Sequence, residues 1–147
     1  MEESWRDNLV STEQGIAEII RGSRRVAVLG MKTEAQSGQP AFYVAEYLHR
    51  AGVDVVPVPV YYPEVTEILG KKVYRALADI PGEIDLVDVF RRSQDVPPHL
   101  DDILAAMPKA VWMQSGIRHE EAARRLAEAG IKVVQDRCLM VEHRRHA

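Results

Sequence analysis

Arg24-Arg25-Val26-Ala27-Val28-Leu29-Gly30-Met31-Lys32-Thr33, continued by Ser37-Gly38-Gln39-Pro40 and then Ala41-Phe42-Tyr43-Val44-Ala45-Glu46-Tyr47-Leu48, reads as strand, loop and helix. The apolar run between Arg25 and Gly30 suits a strand buried on both faces of a parallel sheet. Pro40 suits the first turn of a helix, where its missing N–H has no intrahelical partner. Gly30 and Gly38 at the ends of the loop let backbone N–H groups approach an anion, and the helix directs its positive end to the same place. Met31, Lys32, Thr33, Ser37, Gln39 and Pro40 complete this candidate phosphate loop. A nucleotide-type ligand is the first expectation.

Outward from this unit the same alternation repeats. Ser11 and Gln14 have capping-box spacing before a helix over about 12–21, and residues 1–10 read as a loose lead-in. The Pro40 helix ends at Ala51-Gly52, and Val53–Val60 forms a second strand whose two late prolines mark its exit from the sheet. A short helical piece is expected over Glu64–Leu69, an edge strand over Lys71–Tyr74 and a helical turn over Ala76–Ile80. Ile84–Phe90 is a third major strand, Pro97–Met107 a helix, Ala110–Met113 a strand, His119–Ala129 a helix and Ile131–Val134 the last strand. His143-Arg144-Arg145-His146 reads as a free tail, so 143–147 joins 1–10 as a loose end. The fold class expected is α/β: a Rossmann-like three-layer fold over 1–147, with a mostly parallel sheet and helices on both faces. Loops 30–39, 58–63, 91–95, 114–118 and 135–139 should then converge beyond the carboxyl edge of the sheet.

The chain has 147 residues, 46% of them hydrophobic, enough for one core. Nineteen basic against twenty-two acidic residues leave a formal charge of −3, which argues against a nucleic-acid binder held by its overall field. No apolar run approaches the ~20 residues needed to span a bilayer, and the N-terminus lacks the pattern of a signal peptide. A cytoplasmic location is expected. Cys138 is the sole cysteine, which excludes an internal disulfide and a cysteine-based zinc site. The histidines His49, His99, His119, His143 and His146 have no metal-ligand spacing, and no metal is expected. Asp85 and Asp88 stand three apart on a strand, facing opposite sides, and read as structural. Trp112 and Phe90 read as core.

The ligand is narrowed by what the loops lack. No G-x-G-x-x-G pattern follows Gly30, and Pro57-Val58-Pro59-Val60 stands where a NAD domain places its ribose-binding acid. Lys32, Thr33 and Ser37 suggest a polyphosphate held partly by side chains. Arg91 and Arg92 at the end of the third strand either meet phosphates or form a solvated loop.

Val26-Ala27-Val28-Leu29-Gly30, Pro57-Val58-Pro59, Leu69–Tyr74, Ile84–Arg91, Trp112-Met113-Gln114-Ser115-Gly116 and Asp136-Arg137-Cys138 together resemble the stand-alone CoA-binding proteins, which are similar to the N-terminal CoA-binding domain of the succinyl-CoA synthetase alpha subunit. The resemblance covers about residues 22–142. It implies a domain that holds coenzyme A, with pyrophosphate at the Gly30–Pro40 loop, adenosine near Val58 and Pro59, and pantetheine running toward Gln114, Ser115, Gly116 and Cys138. The chain departs from the family pattern at Pro59, where Asn is usual, and at Gln39-Pro40-Ala41, where a basic residue, proline and serine are usual. Cys138 reads first as a small buried residue, with thiol exchange against CoA as the sharper alternative. The leading expectation is a non-catalytic CoA or acyl-CoA carrier, sensor or partner subunit, with no catalytic residue, no nucleic-acid or membrane partner, and an open question of protein partner or homo-oligomer. The alternatives are a small NAD(P)-dependent Rossmann enzyme and an interaction module with a vestigial pocket.

Overall fold

The computed structural model describes residues 2–147, with side chains from residue 4 onward. Five parallel strands form the central sheet: β1 (Arg25–Leu29), β2 (Asp54–Val58), β5 (Leu86–Val89), β6 (Ala110–Met113) and β7 (Lys132–Val134), in the order β2-β1-β5-β6-β7. Every side chain of β5 and β6 is buried, because helices cover both faces of the sheet. This is the α/β Rossmann-like fold expected from the sequence. The alternation of side chains splits the interior in two. Val26, Val28, Leu86 and Trp112 pack under α1 (Glu13–Gly22), α2 (Pro40–Arg50) and α5 (Leu139–His146). Ala27, Leu29, Val87 and Met113 pack under α3 (Leu100–Ala106) and α4 (Glu120–Glu128). No helix among the described residues is long and apolar enough to cross a membrane.

Several local expectations are corrected. The cap of α1 is Thr12, whose side chain accepts from the Gly15 N–H at 3.1 Å, rather than Ser11 with Gln14. The stretch expected as helix over Glu64–Leu69 instead enters a hairpin, β3 (Glu67–Ile68) with β4 (Lys71–Lys72). Leu69 and Gly70 both have positive φ, 55° and 70°, which forms a tight two-residue turn that an α-helix cannot contain. The helix expected over Pro97–Met107 is shorter: Pro97–His99 is a 3-10 turn and α3 begins only at Leu100.

Neither described end is loose. Glu2–Asn8 is a 3-10 helix in which the Trp5 ring has the guanidinium groups of Arg6 and Arg124 4.5 Å and 4.8 Å from its centre, and the Val10 N–H bonds the Val133 carbonyl at 2.8 Å. Met1 lies outside the described residues. The expected free tail is α5, held because Leu139 and Glu142 are buried and the His143 ring nitrogen Nδ1 meets the Tyr47 hydroxyl at 2.8 Å.

Candidate functional site

The chain passes from β1 to β2 on one side and later returns to β5 on the other, so Leu29 and Val89 end side by side while their loops diverge. A crevice forms at such a switch point. Here it is a cavity of about 620 Å³, within the range of small-ligand sites. Lys32, the start of α2 at Gln39-Pro40-Ala41, Tyr43 and Val44 form one wall; Phe90 through Gln94 follow from β5, Gln114 through Ile117 from β6, and Cys138 closes the far side. Three cations, Lys32, Arg91 and Arg92, face it, and none of the described residues lining it is acidic. The helix starts at Gln39 and Cys138 carry no side-chain cap bond, so the positive ends of α2 and α5 also point to this space.

Of the residues singled out from sequence, Lys32, Gln39, Pro40, Arg91, Arg92, Gln114, Ser115, Gly116 and Cys138 meet in the cavity wall. The others do not. Met31 is buried beneath α2. Thr33 caps a short 3-10 turn with Gln36, accepting from the Ala35 N–H at 3.3 Å, while Ser37 and Gly38 are exposed outside the cavity. Gly30 has φ +85°, and a methyl group there would collide with the carbonyl oxygen of Phe90. Its glycine is therefore required by the close packing of two strand ends. Val58 and Pro59 are buried, and the residue their strand delivers to the surface is Tyr61, 60% exposed, with the Arg91 guanidinium 5.7 Å from its ring centre. Phe90 is only partly buried and belongs to the wall as much as to the core, whereas Trp112 is fully buried.

The arginines are held. Arg91 Nε–H donates to His99 Nε2 at 3.2 Å and Arg92 Nε–H to Asp95 at 2.8 Å. Burial, and then the neighbouring Arg91 charge, lower the His99 pKa, so the ring stays a neutral acceptor. Arg137, beside Cys138, turns away: its guanidinium reaches the Ser11 carbonyl at 3.2 Å and Glu142 at 3.9 Å.

Sequence reasoning missed the buried partner of Gln114. Asp88, fully buried on β5, accepts from Gln114 Nε2–H at 2.6 Å, and Gln114 Oε1 accepts from the Leu139 N–H at 3.3 Å. The Leu139 donor fixes which end of the Gln114 amide faces Asp88. Asp88 Oδ2 has no hydrogen-bond partner, and burial pushes its carboxyl up to about 8, opposed by the Gln114 bond. At pH 7 the acid is therefore mostly neutral. The signal lay in register: Asp88 pairs with Trp112, so Gln114 is the same-face neighbour two residues on.

A family model described as a CoA binding domain matches residues 24–144. The chain belongs to that family. The chain is 35% identical over 128 residues to the uncharacterized protein YneT of Bacillus subtilis (strain 168), a match spanning 87% of this chain and 91% of that one. Among solved structures it is similar to cell-free ID.343 from Thermus thermophilus, with 40% identity, a TM-score of 0.84 and coverage of 93% of this chain and 100% of the other. A hypothetical protein from Pyrococcus horikoshii OT3 matches with 32% identity, a TM-score of 0.81 and coverage of 92% of each chain. The resemblance drawn from the ordered motifs thus holds at the level of the family.

Proposed function

We propose that this protein binds coenzyme A or an acyl-CoA in the switch-point cavity, as a carrier, sensor or partner subunit rather than as a catalyst. The observation that carries the reading is electrostatic: a chain of net charge −3 keeps three cations and two helix starts, and no described carboxylate, around one cavity. That arrangement favours a polyanion. Lys32 and the start of α2 would hold the pyrophosphate, and Arg91 and Arg92 the remaining phosphate charge. The pantetheine arm would lie along Gln114, Ser115 and Gly116 toward Cys138. Membership of the CoA-binding domain family supports the choice of polyanion. The polar groups also suit holding more than proton transfer, since His99 Nε2 is committed to Arg91 and the Gln114 amide to Asp88 and Leu139.

Calorimetric titration with CoA and with NADH tests the reading. CoA should bind and NADH should bind more weakly or not at all, because the β2 end offers buried Val58 and Pro59 where a ribose diol would need an acid. CoA affinity should also fall with added salt. Tighter binding of NADH than of CoA would overturn the assignment.

A further inference from the structure

We infer that His99 is the positioning residue of the cavity's anion site: its ring nitrogen holds Arg91 by Nε and leaves the outer fork of the guanidinium, Nη1 and Nη2, to an oxyanion of the ligand. This inference rests on the CoA reading and separates two arginines that the reading treats alike. Arg92 is exposed, and its Nε–H is spent on Asp95 at 2.8 Å. Arg91 differs on both counts. Its side chain is only 18% exposed, and its one hydrogen bond among the described residues is the 3.2 Å bond from Nε–H to His99 Nε2. Asp95 lies 4.0 Å from Nη2, beyond hydrogen-bond distance. A guanidinium has five N–H donors, so the rest stand uncommitted in a group largely withdrawn from water, which is costly until an acceptor meets them. Arg91 lines the cavity, so that acceptor can come from the ligand, and a planar fork suits two oxygens of one phosphate.

The segment that carries His99 holds it still. Pro97 and Pro98 lock φ at the two residues before it, its N–H bonds the Val96 carbonyl at 2.9 Å, and Val96 and Leu100 are buried on either side. An arginine N–H can only donate, so Nε2 must accept, and it can do so only in the neutral ring. The charges that act on that ring are Arg91 at the end of β5, Asp102 on α3 and Asp95 on the turn between them. Burial and the Arg91 charge outweigh the two acids and keep it neutral. Fixing Nε sets the plane of the guanidinium and with it both Nη groups. A neutral acceptor does this without cancelling the charge that the ligand needs, as a carboxylate in its place would. Asp95 does cancel it at Arg92.

The test is calorimetric titration of the intact protein with CoA. His99→Leu and His99→Gln fill much the same space, and only glutamine keeps an acceptor where Nε2 stands. His99→Leu should weaken CoA by roughly 3- to 10-fold, the worth of one ordinary hydrogen bond, and His99→Gln should recover most of that loss. Arg91→Ala should cost about tenfold or more. Adding His99→Leu to it should cost less than about twofold further, because a residue that acts through Arg91 then has nothing left to position. Thermal melts check that each variant is folded. Equal affinity of the parent and His99→Leu overturns this inference and leaves the CoA reading standing. The same follows if His99→Gln binds as weakly as His99→Leu, or if the His99→Leu loss persists in full without Arg91. A parent that does not bind CoA overturns both.

Discussion

Asp88→Asn should flatten the dependence of stability on pH, because burial sets the Asp88 carboxyl far from its unfolded behaviour. The folded pKa is about 8 and the unfolded one ~3.9. Between those values the native state holds a proton that the unfolded chain has released, so stability falls as pH rises, by up to about 1.4 kcal/mol per unit. The contribution is fully present below pH ~4 and lost as pH climbs through about 8. From pH 5 to pH 8 the loss comes to roughly 3–4 kcal/mol, a large part of a typical ~5–15 kcal/mol total. The side chain is fully buried, so solvent screening does not reduce this figure. Asparagine keeps an oxygen for the Gln114 N–H but never ionises, and the variant should lack this slope. Urea unfolding of both proteins at pH 5, 6, 7 and 8, read by linear extrapolation, measures the gap. It should widen with pH in favour of Asp88→Asn. Parallel slopes, or a variant less stable than its parent at pH 8, would refute the account of Asp88 as a neutral buried acid.

Gly30→Ala should lower stability by roughly 1–3 kcal/mol, from the left-handed φ and the collision with Phe90, and a denaturant melt would read it; an unchanged midpoint would mean the two strand ends can separate freely. Cys138 is partly exposed in the cavity wall, so saturating CoA should slow its alkylation by iodoacetamide, followed by intact mass; an unchanged rate would place the pantetheine end elsewhere. Trp112→Phe should cost about 1 kcal/mol or more through loss of the 2.8 Å bond from its indole N–H to the Arg137 carbonyl, and thermal melting would detect it.

The frame was legible because each buried strand is a run of β-branched or other apolar residues closed by a turn residue, and each covering helix repeats its apolar positions at helical spacing. Ala110–Met113 and Pro40–Arg50 follow from those local rules almost residue by residue. The hairpin at Glu67–Lys72 did not, because its cause is the burial of Ile68 against the α2 face of the sheet, a contact no local pattern records. The tail misled for the same reason. Four basic or imidazole residues read as solvated, yet Arg145 meets Glu13 on α1 at 3.0 Å and His143 meets Tyr47 on α2.

The site divides along the same line. Arg91, Arg92, Gln114, Ser115 and Gly116 were found because a strand end announces them, and the strand order brings those ends together. Gly30 carries a second reason for being glycine that the sequence does not show: a left-handed glycine after a strand is equally the mark of two chain segments packed too closely for a Cβ, and here the Phe90 carbonyl stands where that Cβ would be. Asp88 was passed over because sequence spacing compared it only with Asp85, three residues away. Asp85 lies outside β5 and accepts from the Arg24 and Arg25 N–H groups, while Asp88 answers to Gln114 across the sheet. An acid between Val87 and Val89 in a strand buried on both faces has no solvent to ionise into, so it must be neutral, paired or both. That constraint is visible in the sequence. What it implies for the cavity appears only once register places Gln114, a residue of the cavity wall, between Asp88 and the first N–H of α5.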